Sequence, residues 1–427
     1  MNRLRILPLM MVFAAWAHFN RLSMAVAGAE QIVPGGLLSK TQMGWVYTTT
    51  LAVYTLCMIP GGWLVDRWGP HRSWILLASG SAILMAAVGL LGAAVAEPTT
   101  LLIGLLVVRG LFGAVTAPLH PTAARLVHNW SPASFTDSAN GLVTAACCLG
   151  MATTYLLFGW LIDWLAWPGA FLAAAGVTAV VGWAWYRHGA DFPPDSLLKA
   201  GHEASRVASV RQIVGPESDS GLEPGAGAST EDRSTEGESN WSLVCLTASY
   251  GMVGYFQYLF FYWAEHYFQE TLRLDTSAAR WATSLLTLAM GVGMLLGGRF
   301  SDYARGRWSG WLGMALVPVA GLTLAGGVTA IGAYISGAAL VIGCFATAMV
   351  AVGLSEAAHW STAVRLGNER GGAAAAIMNT GGNGVGLLAP VLTPVIGETL
   401  GWRFSLLVAA AACGLAAIAW LGIRRRG

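Results

Sequence analysis

Twelve stretches of mainly apolar residues, separated by short polar breaks, account for most of the chain. They run at about 6–28, 41–63, 74–95, 100–126, 137–161 and 168–188, and then at about 241–265, 277–299, 309–330, 333–364, 371–395 and 403–424. A run of about twenty apolar residues crosses a hydrocarbon core of ~30 Å as a helix. In lipid a helix is the form that satisfies its own backbone polar groups. The fourth and tenth stretches exceed the length needed, which predicts tilt or extension past the bilayer. The break at 189–240 is of a different kind. It is rich in Ser, Glu, Asp, Gly and Pro and nearly free of aromatic residues until Trp241. Such a segment cannot bury a core and is expected to be a disordered tether. The pattern therefore predicts an all-α integral membrane protein: six helices in 1–188, a linker at 189–240, and six helices in 241–427.

The two sets of six repeat one another. Gly61-Gly62-Trp63-Leu64-Val65-Asp66-Arg67, followed by Trp68-Gly69-Pro70-His71-Arg72, lies between the second and third stretches. Gly297-Gly298-Arg299-Phe300-Ser301-Asp302, with Arg305 and Arg307 after it, lies 236 residues further on. Trp167-Pro168 opens the sixth stretch and Trp402-Arg403 opens the twelfth, 235 residues apart. Thr144 and Cys148 correspond to Asn379 and Asn383 at the same offset of 235. Two parallel repeats of six helices, joined by a loop, place a cavity at the middle of the membrane between them. Each charged GG-x-x-x-D segment is expected to form a turn between two helices.

Composition agrees. Charged residues are 11% of the chain and apolar residues 55%, whereas soluble domains carry about a quarter charged residues. The net charge of +2 is dispersed, which gives no footprint for nucleic acid. The cysteines (Cys57, Cys147, Cys148, Cys245, Cys344 and Cys413) all sit in apolar stretches without ligand spacing, so neither disulfides nor zinc are expected. No nucleophile–base set, phosphate loop or metal cluster marks an enzyme, and no cofactor is expected. The run that begins near Ile6 continues through Asn20 and Arg21 without a clean cleavage site, and reads as a retained membrane helix rather than a signal peptide. Roughly 18 of the 24 Lys and Arg fall on one side by this placement, among them Arg67, Arg72, Arg299 and Arg305. That side, with both termini and the linker, is expected to be cytoplasmic, and the membrane to be a bacterial inner (plasma) membrane.

The motif Gly62, Leu64, Asp66, Arg67, Gly69, Arg72 resembles the G-x-L-x-D-R-x-G-x-[KR] loop of the major facilitator superfamily. Within it the chain is most similar to the anion:cation symporter family of organic-anion carriers. The similar stretches are Phe19-Asn20-Arg21-Leu22-Ser23, Arg109-Gly110-Leu111-Phe112-Gly113 leading to Pro118 and Pro121, and Met378-Asn379-Thr380-Gly381-Gly382-Asn383 leading to Pro390. The resemblance implies the major facilitator fold and a secondary transporter. It implies also that Asp66, Arg67, Arg72 and Asp302 belong to a conformational switch that latches the halves in one state. A topogenic role for the arginines is the alternative. Members of that family commonly carry acids where this chain has Asn20 and Thr116. Proton coupling through those two positions is thereby put in doubt.

Several residues inside the apolar stretches could carry chemistry. Arg21, in the middle of the first, costs ~2.5–3.5 kcal/mol to insert and should face a wet cavity or a partner. It reads as a clamp for a substrate carboxylate, or as a structural arginine capped by carbonyls or by Glu356. Arg109 heads a one-sided stripe with Gly113, Thr116 and His120, and reads as cavity-lining or as snorkelling to the outer face. Glu356 and His359 share a helical face and form the candidate proton-coupling pair. The alternative has both simply hydrated near Arg365. Asn20, Tyr47, Tyr54, Gln257, Tyr258, Asn379 and Asn383 complete the candidate substrate-binding set, with Tyr255 and Tyr262 beside them. Belt tyrosines and helix-gluing asparagines are the alternatives. The expectation is a monomeric carrier of a small organic anion such as a sugar acid, by alternating access and with a proton as the candidate coupling ion. A carrier of neutral or cationic solutes, and a non-transporting sensor, are the competing possibilities.

Overall fold

The computed structural model describes residues 3–131, 136–193, 230–367 and 371–423, and all of the regular structure among them is helical. The first half holds α1 (Arg3–Ala27), continued by a π-helical turn at Gly28–Ile32, then α2 (Lys40–Trp68), α3 (Pro70–Ala94), α4 (Pro98–Thr116), α5 (Leu119–Trp130) and α6 (Thr136–His188). The second holds α7 (Thr230–Glu270), α8 (Thr276–Arg307), α9 (Gly310–Gly332), α10 (Ala338–Gly367), α11 (Gly371–Gly386), α12 (Ala389–Leu400) and α13 (Trp402–Ala419). Ten segments are long and apolar enough to span a membrane. One of them, Ala139–His188, is 50 residues; straight, it would be about 75 Å long. It breaks at Ala166, whose backbone is not helical, and so makes two crossings. α11 and α12 meet at Leu387–Leu388, with Pro390 just beyond, and together make one more. The architecture is consistent with the expected twelve. Large apolar side chains such as Leu56, Ile83, Trp164 and Leu340 are exposed around the outside, as a lipid-facing surface requires.

Local chemistry sets the ends. Ser39 and Gln42 form a reciprocal capping box that starts α2. Gly69 ends it with φ 81°, and Pro70 opens α3. The Glu97 carboxylate caps α4 by accepting from Thr99 and Thr100 backbone N–H groups, and the bonds to Thr100 lead in holding its carboxyl down at about 2. Both charged GG-x-x-x-D segments, expected as turns, are helical instead. Asp66 lies in the last turn of α2 and Asp302 in the last turns of α8. An uninterrupted helix keeps the backbone satisfied until it has left the apolar layer, and the basic residues at its end suit the helix dipole. α7 likewise begins at Thr230, inside the stretch expected to be linker, most of which lies outside the described residues.

Within the first half α6 packs on α1 and α3, and α2 on α4; within the second α10 packs on α8 and α9, and α7 on α11 and α13. The halves meet through α6 on α8 and α2 on α12. Among the described residues, the ion pairs that join the halves lie at the end that carries Glu30. There Lys40 pairs with Glu270 at 2.6 Å, and Arg280 with both Glu30 and Asp163 at 2.6 Å. Thr48 donates to the Leu387 carbonyl at 2.8 Å, Tyr155 to Phe261 O at 2.8 Å and Ser284 to Ala152 O at 2.6 Å. Gly44 is pressed against the backbone of Pro390 and Val391, where no side chain would fit. The largest apolar core runs through both halves, and includes Tyr47 with Tyr262 and Trp263. A second core, with Phe13, Trp74, Trp130 and Trp185, belongs to the first half alone. The charges of the opposite end bond inside their own half: Asp66 with Arg125 at 2.7 Å, and Asp302 with Arg305.

The repeat is visible in the backbone. Ala166 has φ 53° and ψ 169°. Gly401, 235 residues later, has φ 92° and ψ 153°. Each is followed by a tryptophan that opens a helix, and the Trp167 N–H is held by Gln31 Oε1 at 2.8 Å. The second half makes this turn with glycine. The first forces an alanine into a region that L-residues avoid, at about 1–2 kcal/mol. Ala166→Gly is therefore expected to stabilise the purified protein by about 1 kcal/mol, read as a raised thermal midpoint in detergent. An unchanged or lowered midpoint would show that the turn stores no strain.

Candidate functional site

Four helices each bring a polar residue to the middle of the membrane. Arg21 lies near the middle of the first span, Ile6–Ile32, Tyr54 at the middle of α2, Tyr258 in the apolar part of α7, and Asn383 near the end of α11, about midway along α11 and α12 together. The Arg21 guanidinium lies over the Tyr54 ring at 4.7 Å and donates from Nη2 to the Tyr258 hydroxyl at 3.1 Å. That hydroxyl donates on to Asn383 Oδ1 at 2.6 Å, and Asn383 Nδ2 bonds Asn379 through its carbonyl at 2.9 Å and its side chain at 3.2 Å. Tyr262 lies within reach of the same guanidinium. A polar chain thus crosses from one half to the other at mid-membrane, and Arg21 is only part-buried along it.

Arg109 stands behind Arg21. Its Nη2 donates to the Arg21 carbonyl at 3.0 Å, and its guanidinium carbon lies 4.5 Å from the centre of the Phe112 ring. It is 2% exposed, with Nε and Nη1 unpartnered. The ion pairs formed among the described residues use Lys40, Arg125, His266, Arg280 and Arg305, and neither Arg21 nor Arg109. Two guanidiniums therefore stand close together in a low-dielectric region with neutral company, which favours an anion between the halves.

The remaining candidates divide. Tyr47 stacks on Tyr262 at 4.8 Å and donates to Met24 O at 3.4 Å, in the seam toward the closed end. Asn20 is 1% exposed and turns into its own half, where Nδ2 donates to Thr178 Oγ1 at 2.8 Å. The expected polar ridge on the fourth predicted helix is interrupted. Gly113 packs on the α2 backbone, and the Thr116 hydroxyl bonds back to Phe112 O. His120 sits ring to ring with His18 at 5.3 Å, and His18 bonds Ala14 O at 3.0 Å.

Glu356 and His359 are not brought together. Glu356 Oε1 accepts from the Tyr250 hydroxyl at 2.5 Å and from Trp360 Nε1 at 3.0 Å, while its Oε2 has no partner. Gln257 lies beside it, with its Nε2 unpartnered. His359 is fully buried inside the second half, bonded to Ser355 O at 2.8 Å, Ser249 at 3.0 Å and Trp420 at 3.3 Å. Of the switch residues, Asp66 and Arg125 are half-exposed, the range in which an ion pair contributes about 0–1 kcal/mol. Arg67 and Arg72 are exposed.

The charged cluster at the closed end escaped the reading of the sequence. By the predicted bounds Arg280 falls at a helix start, Glu265 at a helix end, and Glu30 and Asp163 just beyond helix ends. An acid set among Phe261, Tyr262, Trp263, Tyr267 and Phe268 was the available signal.

Two six-helix halves around a mid-membrane polar site define a membrane transporter of the alternating-access kind. The family model described as Major Facilitator Superfamily matches residues 6–355 and 243–427, and the chain belongs to that superfamily. It is similar to the D-galactonate transporter of Escherichia coli O6:H1, 28% identical over 309 residues, or 70% of this chain and 68% of the relative. It is 26% identical over 425 residues to the probable sulfoacetate transporter SauU of Cupriavidus necator, covering 99% and 94%. To the probable galactarate/D-glucarate transporter GudP of Escherichia coli K12 it is 23% identical, covering 93% and 87%. Among solved structures, a D-xylose–proton symporter superposes with TM-score 0.76 at 13% identity, covering 98% and 97%. A bacterial homologue of the lysosomal transporter Spinster does so with 0.73 at 17%, covering 99% and 98%.

Tyr258→Phe removes the oxygen that joins Arg21 to Asn383. It is expected to destabilise the protein by about 1–2 kcal/mol, because a part-buried cation and an amide each lose a bond. Thermal unfolding measures this; a midpoint equal to that of the parent would mean that the chain across the halves is replaced without cost.

Proposed function

We propose that this protein moves a small organic anion, a sugar acid or a comparable carboxylate, across the bacterial plasma membrane by alternating access. The observation that carries the reading is Arg21. It is a cation at the middle of the membrane, on the seam between the halves, met by phenol and ring groups instead of a carboxylate. Its fork can take a carboxylate bidentately. Arg109 behind it adds positive potential, and Tyr258, Asn379 and Asn383 supply donors and acceptors for hydroxyl groups. The relatives are named as transporters of galactonate, galactarate or glucarate and sulfoacetate, all small anions, which supports the same class.

The geometry supports one reading of the transport cycle. In this state the halves close at the Glu30 end, which the bias of basic residues assigns to the outside, so the site faces inward. A monomer suffices, because both halves of the site come from one chain. Asp66 and Arg125, and Asp302 and Arg305, pair within their own halves here and are free to exchange partners when that end closes. Glu356, with one carboxyl oxygen unpartnered, is the group we assign to carry a co-transported proton in the cleft.

Galactonate, glucarate or sulfoacetate is expected to raise the thermal midpoint of detergent-purified protein. Ligand at about 100 times Kd stabilises by about 2.7 kcal/mol. Arg21→Gln should abolish the shift, and Arg21→Lys should retain part of it, since lysine keeps the charge but not the fork. A shift with neutral sugars or cations alone would overturn the reading. In proteoliposomes Glu356→Gln should make uptake independent of an imposed pH gradient, and unchanged pH-driven uptake would remove Glu356 from coupling.

A further inference from the structure

Four charged residues meet where the halves close. Glu30, in the π-helical turn, and Asp163, on α6, belong to the first half; Arg280, on α8, and Glu265, on α7, belong to the second. Arg280 spends all of its nitrogens on the first half's acids. Nε and Nη2 bond Glu30 at 2.6 and 2.8 Å, and Nη1 and Nη2 bond Asp163 at 2.6 and 2.7 Å. Gly159 makes the room, since a side chain there would overlap the guanidinium.

Glu265 is left over. It is 3% exposed, and neither carboxyl oxygen has a hydrogen-bond partner. The Glu30 carboxyl is its first charged neighbour and Arg280 its second. Tyr47 and Tyr155 face it from α2 and α6, but their hydroxyls are already given to Met24 O and Phe261 O. Asp163 adds another negative charge beyond Arg280. Three carboxylates thus surround one guanidinium, and the one without a donor is buried beside another acid. An ionised group in such a place is costly and neutralises instead.

We propose that Glu265 is a proton-binding site that governs the outer gate, so that the halves close at the Glu30 end only with a proton on its carboxyl. The inference rests on the alternating-access reading. When the gate opens, Glu30 and Asp163 withdraw with the first half and Arg280 loses both. Glu265, on the same half as Arg280, then gives its proton to the water that enters and becomes the counter-ion. Closure reverses the exchange: a proton from that water returns to Glu265, and Arg280 goes back to Glu30 and Asp163. Protonated Glu265 can offer its O–H to the Glu30 carboxylate beside it. More protons are bound in the closed state, so by linkage closure is favoured as pH falls. This site is separate from Glu356, which bonds Tyr250 and Trp360 within the second half.

The test is a distance measurement across the gate in full-length protein in lipid nanodiscs, without substrate. The native cysteines are replaced, spin labels are placed by Pro34→Cys and Thr271→Cys, and double electron–electron resonance is recorded from acid to alkaline pH. The parent should show a short and a long distance, with the short one gaining as pH falls. Glu265→Gln should hold the short distance at every pH, and Glu265→Asp should keep the dependence, which separates a lost proton from a misfolded protein. Glu30→Gln removes the repelling neighbour and should move the midpoint to lower pH by about one unit. Two distances whose ratio ignores pH, or a Glu265→Gln protein with the parent's midpoint, overturn the proton site alone. A single distance at every pH, with and without galactonate, overturns alternating access itself.

Discussion

A charge inside hydrocarbon has to be answered by the protein, and the architecture follows from where that is done. The chain holds its charged residues to 11%. Those kept within the described membrane region lie on the seam between the halves or in the packed interior of one. Arg280 is answered in full by two carboxylates of the opposite half, and the contact closes one end. Arg21 is answered by phenols and an aromatic face. One seam thus carries two kinds of cation, the first satisfied by the protein and the second available to a ligand. The difference lies in which partners the opposite helices present at each depth.

The two closures use different physics. Around the Glu30 end, aromatic residues of both halves form one core, and α2 comes close enough to α12 that only Gly44 fits. This contact is large and non-directional. At the Asp66 end the ion pairs are exposed and stay within a half, and such pairs add little in water. A structure held this way is biased toward one closed end without being committed to it. One helix break also adjoins the seam: α12, which follows the interruption at Leu387–Leu388, packs on α2 of the opposite half.

Much of this was legible in the sequence. The twelve apolar runs and the repeats at 235 and 236 residues require two six-helix halves, and the family match agrees. Arg21, Tyr54, Tyr258, Asn379 and Asn383 could be named before any coordinates because polar residues in mid-run must face something other than lipid. The structure does bring those five together. Asn20 and His359 passed the same filter and turn inward, Asn20 to Thr178 and His359 to Ser249; periodicity gives a face and cannot say which neighbour it meets. Glu265 failed the filter for a different reason. Drawing the helix end at 265 moved an acid from the membrane to its border, while the helix continues to Glu270. An error of five residues is ordinary for a helix boundary and is decisive for a charge. The charged GG-x-x-x-D segments show the converse, since a polar break was read as a turn where the helix simply continues.

The energetics of a buried ion pair suit a gate better than those of an apolar seal. Pairing Arg280 with Glu30 and Asp163 recovers Coulomb energy in a low dielectric, but both partners lose hydration, and the net result is commonly near zero. Aromatic contacts such as Tyr47 on Tyr262 contribute without that penalty. If the whole gate were apolar, opening it would expose that surface with nothing gained in return. Because ionic contacts stand beside the aromatic ones, water that enters on opening rehydrates those charged groups, and the cost of separation falls. Alternating access needs two states within a few kcal/mol of each other. A gate that combines an aromatic contact with one guanidinium and three acids suits that requirement, and it includes a carboxyl, Glu265, on which a proton can act.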